Sequence, residues 1–215
     1  MPNMNQTEKP QASAVPTIAR KQPTQQRSRE RVERMLEAAS ALISEKGSDA
    51  LKMSEVAERA GVPIGSLYQF FPDKSAIILT LAERYNAIGR ECIGEALAGV
   101  QDMAGLESAF TELVDIYYGM FLAEPVMRDI WSGTQADKAL RENELADSRI
   151  IGGMLADVLI RLNPEGDREE IATTAFLIMS LGEATMRLAI SVGRDEGQAI
   201  VNAYKRMVLR EMLAL

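Results

Sequence analysis

One stretch, Leu51–Lys74, constrains the fold of this chain more than any other. Gly61 lies near its middle, and glycine readily adopts the positive φ found where a helix ends. Pro63 follows and suits the first turn of a new helix, where its missing N–H has no cost. The pattern predicts a short helix before Gly61 and a second one over Ile64–Phe70. Two helices joined by a turn with glycine are typical of a helix-turn-helix, whose second helix enters the major groove of DNA.

The two predicted helices each have an apolar face and an open face. The residues at helical spacing that we expect to pack between them are Val56, Ala57, Ala60, Leu67 and Phe71. The remaining surface of the second helix is formed by Ile64, Gly65, Ser66, Tyr68 and Gln69. Gly65 lowers helix propensity, and close approach of the backbone to a DNA groove is one reason for a glycine there. A loose surface helix without a partner is the alternative interpretation.

The run Gly61–Lys74 resembles the motif of the TetR family of transcriptional regulators. That motif has Gly-Val at the turn, a small residue before Ser or Thr, Leu and Tyr, then Phe, and Lys at the next helix. The matching residues are Gly61, Val62, Gly65, Ser66, Leu67, Tyr68, Phe71 and Lys74. Two positions differ from the motif. Phe70 stands where a His or Tyr often contacts phosphate, and Lys52 stands where a Thr usually caps the first helix, so that cap comes from Ser54 or is absent.

The resemblance implies an all-α homodimer with an N-terminal three-helix DNA-binding domain and a C-terminal helical domain for effector binding and dimerisation. We expect these domains at residues 27–74 and 75–215, after a disordered polar tail at residues 1–26. The operator is expected to be near-palindromic double-stranded DNA, because one short recognition helix reads few base pairs. The DNA-binding candidates are Arg27, Ser28, Arg29, Lys52, Ser54, Ile64, Gly65, Ser66, Tyr68, Gln69 and Lys74.

Charge is distributed unevenly along the chain. The net charge is −7, yet residues 1–74 hold 11 Lys and Arg against 9 Asp and Glu, while residues 75–215 hold 13 against 22. Six basic and two acidic residues lie between Arg20 and Arg34. Phosphate binding needs only such a local positive charge. A solvated basic tail is the alternative interpretation for Arg20 and Lys21.

Composition argues against several kinds of site. The chain has no histidine and one cysteine, Cys92, so the usual catalytic triads, zinc sites and an intramolecular disulfide cannot form. We therefore expect no enzymatic activity, no cofactor and no metal. No run approaches the roughly 20 apolar residues of a membrane span. The polar N-terminus lacks the apolar segment of a secretory signal, which predicts a cytoplasmic protein that does not bind membranes.

Helical periodicity before and after the motif predicts an all-α chain without strands. The first helix is predicted over Arg27–Lys46. Later helices are predicted at about 74–97, 106–123, 125–131, 135–162, 167–192 and from about 196 to the end. The helix at 167–192 is apolar nearly all round, which indicates a subunit interface. One of its faces consists of Leu177, Leu181, Ala184 and Leu188.

The second domain is rich in Met and aromatic side chains, which adapt to apolar ligands but also form ordinary cores. The effector-binding candidates are Phe110, Tyr117, Met120, Phe121, Met127, Trp131, Phe176, Met179, Glu183 and Arg187. Glu183 and Arg187 lie four residues apart on one helix and are predicted to pair, either near the dimer interface or facing the effector. We interpret the chain as a ligand-responsive DNA-binding regulator, a repressor released by a small apolar or aromatic effector. A helical protein-interaction module without sequence-specific DNA binding is the alternative.

Overall fold

The computed structural model describes residues 21–133 and 137–215, and within them the chain forms nine α-helices and no strand. The first four are α1 (Lys21–Lys46), α2 (Met53–Ala60), α3 (Ile64–Phe70) and α4 (Lys74–Ala98). The others are α5 (Met103–Ala123), α6 (Pro125–Gly133), α7 (Lys138–Leu162), α8 (Arg168–Ser191) and α9 (Arg194–Met212). The predicted all-α class is confirmed. Among the described residues, no helix combines the length and the apolar character needed to cross a bilayer.

The ends of several helices differ from the predicted ones. α1 begins at Lys21 and takes in residues 21–26 of the predicted tail, while residues 1–20 lie outside the described part of the chain. Pro23 lies in its first turn, where proline is tolerated, and the Gln26 side chain donates a hydrogen bond to Glu30. α5 begins three residues earlier than predicted, because the Asp102 carboxylate caps it by accepting from the Gly105 N–H at 2.8 Å.

Helices α1, α2 and α3 share a small apolar core that includes Met35, Leu36, Val56 and Leu67. Gly61 ends α2 with φ 65° and ψ 39°, the left-handed conformation expected from the sequence. Lys52 occupies the N-cap of α2 and makes no side-chain cap, so the cap of this helix is absent rather than supplied by Ser54.

The second unit is built around α7, α8 and α9, with α4 and α5 packed against them. Close approach of these helices depends on glycine at two places. A Cβ at Gly152 of α7 would lie 2.8 Å from the Cα of Phe176 in α8. A Cβ at Gly197 of α9 would lie 2.4 Å from the Ala189 carbonyl oxygen of α8. Any larger residue would therefore force the backbones apart.

Helix α6 joins the two units. It packs against α1 on one side and against α4, α5 and α8 on the others. Its Asp129 carboxylate accepts a hydrogen bond of 2.9 Å from the Ser48 backbone N–H in the turn between α1 and α2. Its Trp131 is buried and lies edge-on to Tyr85 of α4 and Phe121 of α5. A movement of α5 or α6 would therefore reach the turn before α2.

Candidate nucleic-acid interface and effector cavity

The open face of α3 is presented to solvent as the sequence predicted. Ile64 and Tyr68 are 43% and 50% exposed, whereas Leu67 is fully buried and Phe71 nearly so. Gln69 is also exposed. Apolar and aromatic side chains are usually buried when they can be, so an exposed Ile and Tyr on one turn of helix indicate a contact surface.

Gly65 has no internal reason to be glycine. It lies in the first turns of α3, its φ is not in the left-handed region, and a Cβ built on it would meet nothing within 4 Å. Glycine in a helix is unfavourable by roughly 0.5–1 kcal/mol relative to alanine. Close approach of an external surface is one physical reason for a glycine at this position.

The basic and polar candidates of α1 and α2 are mostly exposed. Arg27 and Arg29 of α1 are exposed, and so are Lys52 and Ser54 at the start of α2, while Ser28 is half-buried. The Lys52 ammonium lies 4.0 Å from the carboxylate of Glu55.

Two further contacts bring basic groups to α3 and the start of α4. Arg31 Nη1 donates a hydrogen bond of 3.2 Å to Ser66 Oγ, so this arginine of α1 reaches α3 directly. Lys74 Nζ donates to the Asp49 carbonyl oxygen at 3.1 Å. The first contact places one cationic group, Arg31, beside the exposed face of α3, and the second holds Lys74 at the turn between α1 and α2. Arg31 was noted in the sequence only as one of several arginines, because its distance from Ser66 along the chain hides the contact.

A cavity of about 80 Å³ lies between α4, α5, α7, α8 and α9. Its wall is mostly apolar and aromatic, with a few polar groups, as in sites for small molecules. The lining residues are Tyr85, Asn86, Gly89, Cys92, Ile93, Leu97, Phe110, Leu113, Val114, Ile116, Tyr117, Met120, Asp147, Ile151, Leu155, Met179, Gly182, Glu183, Met186 and Tyr204.

Half of the predicted effector residues line this cavity. They are Phe110, Tyr117, Met120, Met179 and Glu183. The other candidates lie elsewhere. Phe121, Met127 and Trp131 are buried in the core behind it, where Phe121 lies 5.1 Å from the Tyr117 ring, centroid to centroid. The guanidinium of Arg149 covers the Phe176 ring at 4.8 Å.

Sequence reasoning missed the contribution of α4 and the polar part of α7 to the wall. None of Tyr85, Asn86, Cys92 and Asp147 was among the effector-binding candidates. Buried polar residues in an otherwise apolar helix face were the one signal that the sequence contained.

The predicted pair between Glu183 and Arg187 is not formed. The Arg187 guanidinium pairs with Glu144 of α7, and neither residue lines the cavity. The Glu183 carboxylate is 4% exposed and accepts a hydrogen bond of 3.0 Å from Ser148 Oγ. Burial, followed by the negative charge of Glu144, raises the pKa of Glu183 to about 8. Although the spacing of Glu183 and Arg187 within α8 favours a pair, each side chain instead binds a residue of α7, Ser148 and Glu144 respectively.

A second polar group on the wall is fully paired. Asp147 is bonded to Arg90 of α4, whose guanidinium also donates to Glu83 at 2.6 Å. Burial raises the pKa of Asp147, and the bond from Arg90 partly offsets this effect. Nearby, Asn86 Nδ2 donates to Asn143 Oδ1 at 2.9 Å. The polar side of the cavity therefore holds one satisfied carboxylate and one buried carboxyl without a cation.

Comparisons with known proteins agree with this architecture. Residues 35–81 match the family described as bacterial regulatory proteins, tetR family. Residues 104–215 match the family described as tetracyclin repressor-like, C-terminal domain. A crystal structure of a TetR-family transcriptional regulator from Streptomyces coelicolor superposes with a TM-score of 0.63 and 26% identity, covering 86% of this chain and 98% of that one.

Two curated relatives are repressors. The HTH-type transcriptional repressor KstR of Mycobacterium tuberculosis is 28% identical over 145 residues, which is 67% of this chain and 65% of that protein. KstR of Mycolicibacterium smegmatis is 40% identical over 72 residues, which is 33% of this chain and 35% of that protein. The aligned part is thus less than two thirds of either relative. The helix-turn-helix, the helical second unit and the matches over both show that this chain belongs to the TetR family of non-enzymatic, DNA-binding transcriptional regulators.

Proposed function

We propose that this protein is a ligand-responsive repressor that binds a near-palindromic operator as a homodimer and leaves it when an apolar or aromatic effector occupies the cavity. The observation that carries the proposal is the open face of α3, where a Cβ on Gly65 would meet nothing within 4 Å and Ile64 and Tyr68 remain exposed. The similarity to repressors named KstR supports repression over activation.

The side chains around α3 divide into two roles. Lys74, Tyr68, Arg27 and Arg29 contact phosphate, which fixes the position of the protein on the duplex but carries no sequence information. Lys52 and Ser54 at the start of α2, together with Ser28 of α1, add hydrogen bonds to the backbone of the DNA. Base edges are read by the four remaining candidates, which are Ile64, Gly65, Ser66 and Gln69. Gln69 is suited to adenine, because its amide pairs with N6 and N7 together.

A dimer follows from the exposed apolar face of α8. Leu177, Leu181 and Leu188 are 54%, 43% and 53% exposed and lie at spacings of four and seven, which place them on one side of the helix. Such a stripe on a helix that already packs against α7 and α9 indicates a further helical partner. A second copy of the chain supplies that partner and brings two recognition helices to the two halves of one operator.

The effector site is the cavity between α4, α5 and α7 to α9. Its volume of about 80 Å³ is smaller than the roughly 150 Å³ of a protein cavity that accepts benzene, so an effector has to displace wall side chains. Met120, Met179 and Met186 are suited to that, because methionine changes conformation at low cost.

A route from the cavity to the DNA surface runs through aromatic rings. Tyr117 on the wall lies edge-on to Phe121, and Phe121 lies edge-on to Trp131 of α6 at 5.9 Å. Two residues before Trp131, Asp129 holds the Ser48 N–H between α1 and α2. An effector that displaces Tyr117 would shift α6 and, through Asp129, the position of α2 and α3.

DNA binding by the purified protein tests the proposal. Fluorescence anisotropy with random-sequence duplexes should show binding at low salt whose affinity falls steeply as salt rises, by about one logarithmic unit of slope for each phosphate contacted. A helical protein-interaction module would show no salt-dependent binding to these duplexes. That result would remove the proposed function and favour the alternative.

A further inference from the structure

The charged groups on the cavity wall are all acidic. Among the described lining residues, Asp147 and Glu183 carry carboxyl groups and no residue is Lys or Arg. Polar groups on the wall of an apolar cavity orient and select the ligand, because a mismatched polar group stays without a partner. The sign of the charge on this wall therefore restricts the chemistry of the effector.

Only one of the two carboxyl groups has an ion pair. Asp147 is bound by Arg90. Glu183 is 4% exposed, accepts a hydrogen bond from Ser148 Oγ, shares a second hydrogen bond with the Glu144 carboxyl, and has no ion pair with any described residue. A buried carboxylate without a cation is unfavourable, so this site stays a neutral acid or takes its cation from a ligand.

The groups around Glu183 do not supply that cation. The titratable and charged residues that face it are Glu144 and Asp147 from α7, Arg187 from its own helix, Tyr117 from α5, Tyr204 from α9 and, through Asp147, Arg90 from α4. Arg187 is paired with Glu144, and Arg90 with Asp147 and Glu83. Each arginine is thus matched to another carboxylate, and Glu183 remains the one unmatched acid of the cluster.

We propose that the effector is an apolar compound with a protonated amine, and that Glu183 is the anion that binds the amine. The inference rests on the proposed function of the cavity as the effector site. Aromatic rings of Tyr85, Phe110 and Tyr117 on the same wall add to the attraction, because ring faces attract cations. An effector that places a carboxylate inside the cavity is disfavoured, because the described cavity wall offers two acidic groups and neither Lys nor Arg.

Binding of the amine is accompanied by the release of one proton from Glu183 to solvent, and no other covalent bond is made or broken. At about pH 7 the free carboxyl of Glu183 holds its proton, because burial and Glu144 raise its pKa to about 8. An ammonium group that enters the cavity turns this carboxyl into a carboxylate, forms an N–H to oxygen ion pair with it, and one proton leaves to solvent. Each molecule of amine bound therefore releases about one proton near neutral pH.

Glu183 is also reachable from outside the cavity. It borders an open groove between α7 and α8, whose other charged lining residues are Lys138, Arg141, Glu142, Glu144 and Arg187. The groove brings a polar head group to the carboxyl while the apolar part of the ligand enters the cavity. Glu183 therefore lies at the meeting point of an apolar interior and a polar groove, as an amphiphilic cation requires.

Titration calorimetry with three probes of equal shape tests the inference. The probes are 2-phenylethylamine, 2-phenylethanol and phenylacetate, which differ in charge but share the ring and the chain. The amine should bind about tenfold or more tightly than the alcohol, and phenylacetate should bind more weakly than both. Titrations in two buffers of different ionisation enthalpy should show about one proton released per amine at about pH 7, and almost none at about pH 9.

Variants assign the preference to one residue. Glu183→Gln keeps the shape and the acceptor for Ser148, and should reduce both the preference for the amine and the proton release to near zero. Glu112→Gln, an exposed acid of α5 outside the cavity wall, is the matched control and should change neither.

Several results would overturn the inference. They are equal or tighter binding of the alcohol or the acid, no binding of any probe, an amine preference that persists in Glu183→Gln, or unchanged proton release at high pH. The pH comparison uses the wild-type protein, so it decides the question even where a variant does not fold. Loss of DNA binding in the wild-type protein would instead count against the proposed function and leave the amine preference standing.

Discussion

The two candidate sites of this protein are built in opposite ways. The surface of α3 is open, with Ile64 and Tyr68 exposed and Gly65 at a place where a Cβ would meet no described residue within 4 Å. The cavity lies between five helices, and polar groups on its wall are bonded to residues outside the wall, as Asp147 is to Arg90. The first site is an exposed surface that can contact a large, charged partner. In the second site, one carboxyl group, Glu183, has no oppositely charged partner.

The difference shows where each site obtains its specificity. On the surface, water satisfies unpaired polar groups, so many residues stay ready for DNA at little cost in stability. In the interior, each unpaired polar group is expensive, so few are present and each one restricts the ligand strongly. The chemistry of the surface site is therefore spread over many side chains, and that of the cavity is concentrated in one.

The largest expected effect comes from disrupting the dimer, because operator binding needs two copies of the chain whereas ligand binding in the cavity needs one. Leu188→Glu places a charge on the exposed apolar face of α8, so it should dissociate the dimer and lower operator affinity by about 100-fold or more, while binding in the cavity changes little. Sedimentation velocity and fluorescence anisotropy measure the two quantities. Ile88→Glu, at an equally exposed site on α4, is the control. A dimer that survives Leu188→Glu would assign the interface to another face.

The pH dependence of stability is specific to the cavity. The folded-state pKa of Glu183, about 8, lies above its ordinary value of 4.5, so the folded protein binds more protons between these values. The free energy of unfolding should then fall as pH rises from about 5 to 8, by up to about 1.4 kcal/mol per pH unit. Urea denaturation at several pH values should show this slope reduced in Glu183→Gln. Parallel profiles for the two proteins would contradict the assignment.

Two substitutions divide the roles on the surface. Gln69→Ala should cost roughly 1–3 kcal/mol on the specific operator and relax the base preference at one position in each half-site. Lys74→Ala should weaken binding to all sequences alike and lower the salt slope by about one for each contact. Anisotropy titrations on operator and random DNA over a range of salt distinguish the two outcomes. Equal losses on both DNAs for both variants would show that the division is wrong.

The smallest expected effect tests the open backbone of α3. Gly65→Ala should raise the free energy of unfolding by roughly 0.5–1 kcal/mol, because alanine favours the helix, and should weaken operator binding. Gly119→Ala is the matched control, since a Cβ there also meets nothing within 4 Å, and it lies on α5 away from the DNA surface. It should stabilise the protein and leave operator affinity unchanged. Unchanged operator affinity in Gly65→Ala would contradict a close approach of DNA to the backbone at Gly65.

The recognition helix was predictable because its signals are local. Gly61 and Pro63 bracket the turn, and the structure places α3 at Ile64–Phe70 as predicted. The apolar face of Leu67 and Phe71 was visible from their spacing alone. The limits of α3 are thus set by residues close to it in sequence, and the rest of the fold leaves its outer face exposed.

The cavity was only partly predictable because its wall depends on which helix faces meet. Tyr117 and Met179 were identified from composition, but the share of α4 was not. Arg187 pairs with Glu144, a residue 43 positions away, and no periodicity within α8 reveals such a partner. The start of α1 was missed for a related reason, since polar residues before Arg27 gave no apolar stripe to follow.

Selection of DNA by the purified protein tests the central claim most directly. Random duplexes enriched over several rounds at moderate salt should converge on an inverted repeat, with half-sites separated by about 34–36 Å or a multiple of that distance. The Gln69→Ala protein should lose the preference at one position of each half-site in the same selection. Convergence on a single unrepeated site, or no convergence at all, would contradict a dimer that reads DNA through α3.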